Sequence, residues 1–137
     1  MFKILIMGLP GSGKTTLAKE LQKKLKSYWL NADKVRKKFS DWDFSKKGVL
    51  RQARRMSLLA KKSKRKIIIA DFICPYKEGR KIFKPDYIIW MDTIKKGRLS
   101  SFDNTFQKPK IYNFRVKSKN AKKNTKFIMK EIKNYIS

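Results

Sequence analysis

The segment Gly8-Leu9-Pro10-Gly11-Ser12-Gly13-Lys14-Thr15 constrains this chain more than any other, because it matches G-x-x-x-x-G-K-[ST] in full. Such a loop turns tightly at its glycines and aims backbone N–H groups at phosphate oxygens. Lys14 supplies a point charge for the β- and γ-phosphates, and the Thr15 hydroxyl is a magnesium ligand. The flanking sequence fits this reading. Phe2 to Met7 is a short apolar run that stops at glycine, the pattern of a buried parallel strand. Beyond the loop, Leu17, Ala18, Leu21 and Leu25 recur at helical spacing. A helix opening near Lys14 adds its positive N-terminal dipole to the loop. A nucleoside triphosphate is therefore expected at Gly8, Pro10, Gly11, Ser12, Gly13, Lys14, Thr15 and Thr16, with ATP and Mg2+ as cofactors.

The rest of the chain alternates strands and helices. Tyr28 to Leu30 predicts a second strand, and a short helix should start near Asp33, a good N-cap. Asp41 to Phe44 reads as a loop, and Ser45 caps a helix whose inner face carries Val49, Ala53, Met56 and Ala60, widened by Leu50 and Leu59. Lys66 to Phe72, rich in β-branched residues, is the clearest strand. Pro75 breaks the chain before a short helix over Lys77 to Ile82, and Tyr87 to Asp92 is another buried strand. Gly97 to Lys110 lacks periodicity and reads as an irregular, lid-like surface loop. Tyr112 to Val116 predicts a last strand, and Asn120 to Tyr135 a last helix with Ile128, Ile132 and Ile136 in one stripe. This alternation implies a three-layer α/β fold of the P-loop NTPase type, a parallel sheet flanked by helices, in one domain over residues 1–137. Ligands of such sheets lie at the carboxyl ends of the strands. Gly11, Asp33, Asp71 and Asp92 all follow strands, so a shared site is expected there.

Charge and cysteine content narrow the setting without naming a function. Lys and Arg total 37 against 10 acidic residues, a net charge of +27. Such a field attracts nucleic acid, acidic membrane and small phosphorylated ligands. The excess is mostly lysine, spread along the whole chain beside abundant Ile and Asn, which A/T-rich coding alone would also produce. Non-specific nucleic-acid binding therefore stays open as an alternative. A single cysteine, Cys74, permits no internal disulfide and fits a reducing cytoplasm. The apolar run Ile4 to Met7 is too short for a signal peptide or membrane span, so a soluble cytoplasmic protein with no membrane partner is expected. The oligomeric state is left open, a homodimer included. Histidine is absent, so a general base must be a carboxylate or water.

Three acids compete for that role. Asp33 follows the second strand, where a carboxylate can face an acceptor hydroxyl and take its proton. Asp71 ends the run Ile67-Ile68-Ile69-Ala70, the pattern of an apolar strand delivering a magnesium-orienting aspartate, and Asp92 ends the fourth strand similarly. The segments GLPGSGKTTLA (Gly8 to Ala18), LNADKVR (Leu30 to Arg36), FS followed by RQARR (Phe44 to Arg55) and FICPYKEGR (Phe72 to Arg80) resemble adenylylsulfate kinase in nearly unbroken register. That resemblance implies transfer of the ATP γ-phosphate to the 3′-hydroxyl of adenosine 5′-phosphosulfate. It implies Asp33 as base or magnesium orienter beside the catalytic Lys14, with Thr15 and Asp33 on the metal and Asp71 reaching it through water. For the small anionic, nucleotide-like acceptor it implies Arg36 on the sulfate-phosphate end, Phe44 stacked on adenine, Gln52 in place of an asparagine, and Ile73 and Cys74 lining the pocket. Elementary chemistry agrees: a dianion wants arginine and a purine wants an aromatic face.

The chain also departs from the resembled pattern. Asn31 and Ala32 replace an aspartate and a glycine, and Val49 stands where a second substrate-binding arginine is expected. No lysine- and tyrosine-bearing lid motif follows Asp92-Thr93; the sequence instead reads GRLSSFDNTFQKP, in which Arg98 is a candidate phosphate clamp and Phe106 a candidate opposing wall for a base. The alternatives are a kinase acting on another nucleoside, sugar or polynucleotide hydroxyl, or a basic, non-enzymatic NTP-binding module associated with nucleic acid.

Overall fold

The structure, a computed structural model, describes residues 1–97 and 102–136. Among them are the strands β1 (Phe2–Gly8), β2 (Tyr28–Asn31), β3 (Ile67–Asp71), β4 (Tyr87–Met91) and β5 (Phe114–Val116). They form one sheet in the order β2-β3-β1-β4-β5, and every neighbouring pair is parallel. The first strand is central, with Ile4 opposite Ile69 on one side and Tyr87 on the other. A central parallel strand buries both faces, which is why Ile4 to Met7 is continuously apolar instead of alternating.

The helices α1 (Lys14–Leu25), α2 (Ala32–Phe39), α3 (Lys46–Ser63), α4 (Lys77–Phe83) and α5 (Ala121–Ile136) cover the two faces. Ile4 and Ile6 pack with Leu17 and Leu21 of α1 and Ile128 and Ile132 of α5. Leu5 and Met7, pointing the other way, pack with Ala53, Met56 and Ala60 of α3 and Phe83 of α4. The three-layer α/β expectation thus holds, and the apolar faces anticipated for α1 and α3 are the buried ones. Ser45 caps α3 as expected, its hydroxyl accepting from the Gly48 amide at 3.2 Å. Among the described residues no helix is long and apolar enough to cross a membrane.

Three local expectations change. The cap of α2 is Asn31, not Asp33: β2 runs on to Asn31, whose side chain accepts from the Lys34 amide at 3.1 Å, and Asp33 falls in the first turn. The last strand spans only Phe114–Val116: the Asn113 amide still donates to Ile88 O at 2.9 Å, but its side-chain Oδ1, in place of a backbone carbonyl, accepts from the Ile88 amide at 2.8 Å. Most consequential, the described part of the expected loop, Gly97 and 102–110, is not simply a surface loop. Phe102 is 1% exposed and packs with Leu9 and Val49. Gln107 stitches the loop to the start of α4: its amide donates to Pro75 O and its Oε1 accepts from the Lys77 amide, both at 2.8 Å, while Arg80 Nη2 donates to its carbonyl. One buried aromatic and one glutamine leave no periodic trace in a sequence.

Candidate active site

Where β1 ends, the glycine-rich loop is shaped by contacts that exclude larger residues. A Cβ on Gly8 would lie 2.8 Å from both Met91 O and Ser12 Oγ. Gly13, at φ 100°, is the left-handed cap that starts α1. Thr93 Oγ1 donates to Ser12 O at 2.7 Å, and the Ser12 amide donates to Leu9 O at 3.1 Å. Lys14 Nζ lies back along the loop, donating to Gly8 O at 3.0 Å and Leu9 O at 2.9 Å.

Beneath the loop sits a polar floor made by adjacent strand ends, since Asn31 of β2 pairs in register with Asp71 of β3. Asn31 Nδ2 donates to the two Asp71 oxygens at 3.0 and 3.2 Å and reaches Thr15 Oγ1 at 3.3 Å. The Ala32 amide adds a bond to Asp71 Oδ1 at 3.3 Å. Asp71 is 2% exposed, and burial pushes its carboxyl up to about 6, against the opposing pull of those hydrogen bonds and of the Lys14 charge. This gives the Asn31 departure a physical meaning. An aspartate there would set two buried carboxylates within hydrogen-bond distance, whereas the amide donates to Asp71. Among the described residues no group of three or more His, Cys, Asp or Glu gathers to cage a metal. Thr15 and Asp71 instead offer the sparse oxygen set that suits magnesium shared with phosphates.

The opposite wall comes from α2 and the loop after it. Arg36 is 4% exposed; its Nη1 donates to Asp41 O at 2.9 Å and Asp43 O at 3.2 Å. Its guanidinium carbon lies 4.3 Å from the Phe44 ring centroid, a cation–π contact. Burial draws its pKa down and Asp41 opposes the shift, but guanidinium stays charged. Phe44 meets Phe102 edge-on at 5.9 Å. Val49 belongs to the same apolar cluster as Leu9 and Phe102. Gln52 brackets the wall, Nε2 donating to Ala32 O and Oε1 accepting from Arg55 Nη1, each at 3.3 Å. Ile73 and Cys74 follow β3; the Cys74 thiol is buried and pushed up to about 12, so it is an inert wall.

A cleft of about 980 Å³ joins these parts, running from the phosphate loop past Asp71 and the exposed Asp33 to Arg36, Phe44, Gln52, Ile73 and Cys74. It therefore gathers nearly all the residues singled out from the sequence. Asp92 is apart: Arg115 Nε donates to its Oδ2 at 2.9 Å. Phe106 does not line the cleft but packs under the Arg80 guanidinium, 5.8 Å away, and Phe102 is the aromatic that meets Phe44. Arg98 lies outside the described residues. Sequence reasoning missed the cleft residues Trp42, Ile94, Lys96 and Lys119. The position of Trp42 between two aspartates was the one available signal.

The family model described as Adenylylsulphate kinase matches residues 1–88. Among solved structures, the Mycobacterium tuberculosis APS kinase CysC in complex with AMPPNP and APS is 19% identical, with TM-score 0.83 over 96% of this chain and 97% of that one. The Acinetobacter baumannii shikimate kinase in complex with shikimate is 15% identical, TM-score 0.67, over 98% and 94%. A Sinorhizobium meliloti gluconokinase is 11% identical, TM-score 0.70, over 98% and 93%. These likenesses establish the fold. No curated protein matches the sequence. The family match carries further, because it takes in well over half of the 137 residues and both strands that floor the cleft: the chain belongs to the adenylylsulphate kinase family, phosphotransferases with a hydroxyl acceptor.

Proposed function

We propose that this protein transfers the ATP γ-phosphate to the 3′-hydroxyl of adenosine 5′-phosphosulfate. The observation that carries the reading is the single cleft in which a phosphate loop faces, across Asp33, a guanidinium stacked on an aromatic ring. The complex of the mycobacterial relative with AMPPNP and APS supports it.

In this reading Gly8 to Thr16 and Lys14 Nζ hold the triphosphate, Lys14 leaving its loop carbonyls to do so. Thr15, Asp33 and, through water, Asp71 would hold magnesium, which would supply neutralisation of charge on the phosphate oxygens. Asp33 takes the proton of the attacking hydroxyl or orients the metal. Arg36 pairs with the anionic end of the acceptor and Phe44 offers its uncovered ring surface to the base. Ile73 and Cys74 close the pocket, and Gln52 keeps α2 and α3 in register around it. A cytoplasmic setting accords with the free thiol.

One observation favours a second reading. Val49, Leu9 and Phe102 form an apolar patch where a second arginine was expected, which suits a less anionic acceptor such as another nucleoside or a sugar. A panel of these hydroxyl acceptors and a polynucleotide 5′ end, incubated with labelled ATP, separates the two. Adenosine 5′-phosphosulfate should be phosphorylated most efficiently, and Asp33→Asn should abolish turnover while ATP still binds. Preference for another acceptor refutes the named substrate, and full activity of Asp33→Asn refutes the role of Asp33.

A further inference from the structure

The loop between α2 and α3 is held more firmly than its exposed position requires. Arg51 donates to Asp41 from Nε at 2.8 Å and from Nη2 at 3.1 Å, and Nη2 also reaches Asp43 Oδ2 at 3.2 Å. Arg55 Nη1 adds a bond to Asp41 at 3.1 Å. Asp41 Oδ1 accepts from the Asp43 amide at 3.2 Å, and Arg36 holds the carbonyls of both aspartates. Paired charge-assisted bonds of this kind are strong and directional. The Arg51 hydrogen bonds hold the Asp41 carboxyl well below the usual carboxylate range.

Between the two pinned aspartates stands Trp42. It lines the cleft, yet 53% of it is exposed. An indole carried between two pinned residues at the mouth of a ligand cleft is presented from an ordered backbone: the cost of ordering the loop is met within the protein before any ligand arrives. Phe44 cannot supply all of that surface, because Arg36 covers one face and Phe102 meets it edge-on.

We propose that Trp42 is a further acceptor-binding residue, stacking on the planar ring of the acceptor, and that Arg51 positions it through Asp41 and Asp43. The inference rests on the acceptor reading given above and narrows it: the acceptor carries a planar heteroaromatic base. A sugar acid offers the indole no planar ring on which to stack.

The test combines kinetics with tryptophan emission, Trp29 and Trp90 giving the background. Adenosine 5′-phosphosulfate should quench the parent emission, and Trp42→Ala should lose that quench. The variant's KM for the acceptor should rise about tenfold, the scale of one stacked base lost, with KM for ATP and the melting temperature unchanged. Trp42→Phe should retain most of the affinity. Arg51→Met should raise the acceptor KM and lower the anisotropy of the emission that Trp42→Ala removes. Turnover of adenosine 5′-phosphosulfate with an unchanged KM in Trp42→Ala overturns the role of Trp42 alone. Turnover confined to a non-aromatic hydroxyl compound overturns both this inference and the acceptor reading.

Discussion

Replacing Asp71 by asparagine should make the protein more stable and less active at once. The carboxyl is 2% exposed and titrates at about 6 instead of the ordinary 3.8, chiefly because burial penalises its charged form. Below pH 3.8 the group is protonated in both the folded and unfolded chain, and its raised pKa has no destabilising consequence there. Between 3.8 and about 6 the unfolded chain ionises first, so stability falls as pH rises. Above that window the loss is complete and constant, about 3 kcal/mol at about 1.4 kcal/mol per pH unit. Asparagine keeps an oxygen for Asn31 Nδ2 and the Ala32 amide but carries no charge. Urea unfolding at pH 4 and pH 8 measures the difference. Asp71→Asn should match the parent at the lower pH and exceed it by about 2–3 kcal/mol at the higher one. If Asp71 orients magnesium as proposed, phosphoryl transfer should fall about 10–100-fold. A parent equal to or more stable than the variant at pH 8 would refute the claim that Asp71 is held ionised at a cost.

Other perturbations probe separate parts of the site. Gly8→Ala places a Cβ 2.8 Å from backbone Met91 O, so thermal melts should show a loss of about 1–3 kcal/mol together with weakened ATP binding. Phe102→Ala empties the cluster that it shares with Leu9 and Val49; denaturant unfolding should show a cost of about 3–5 kcal/mol, and the acceptor KM should rise as Phe44 loses its edge contact. Asp92→Asn breaks a partly exposed pair with Arg115, so a stability loss of no more than about 1 kcal/mol and near-parental turnover are expected.

Much of this site was legible in the sequence for definite reasons. The glycine spacing at 8, 11 and 13 admits few backbone paths, and an apolar strand before it with an amphipathic helix after it fixes where the loop sits. Asp33 and Asp71 were legible because an acid at the end of a strand lies on the ligand-bearing edge of a parallel sheet. Asp92 satisfied the same rule yet is bound to Arg115, since the rule gives an edge but not the neighbour that β5 brings alongside. Phe106 was singled out and Phe102 overlooked because nothing local distinguishes two phenylalanines in an aperiodic stretch.

The α/β alternation and the phosphate loop can be read from the chain directly, because both are written in residues close together along it. Folding in three dimensions is what lets Asn31 serve Asp71, sets Phe102 against Phe44, and has Arg51 and Arg55 clamp the loop that presents Trp42. Each of these joins residues on different elements, and their partners are set by strand order and helix packing. Propensity and spacing report on neighbours in the chain; a carboxylate's pKa or an aromatic's exposed face depends on neighbours in space.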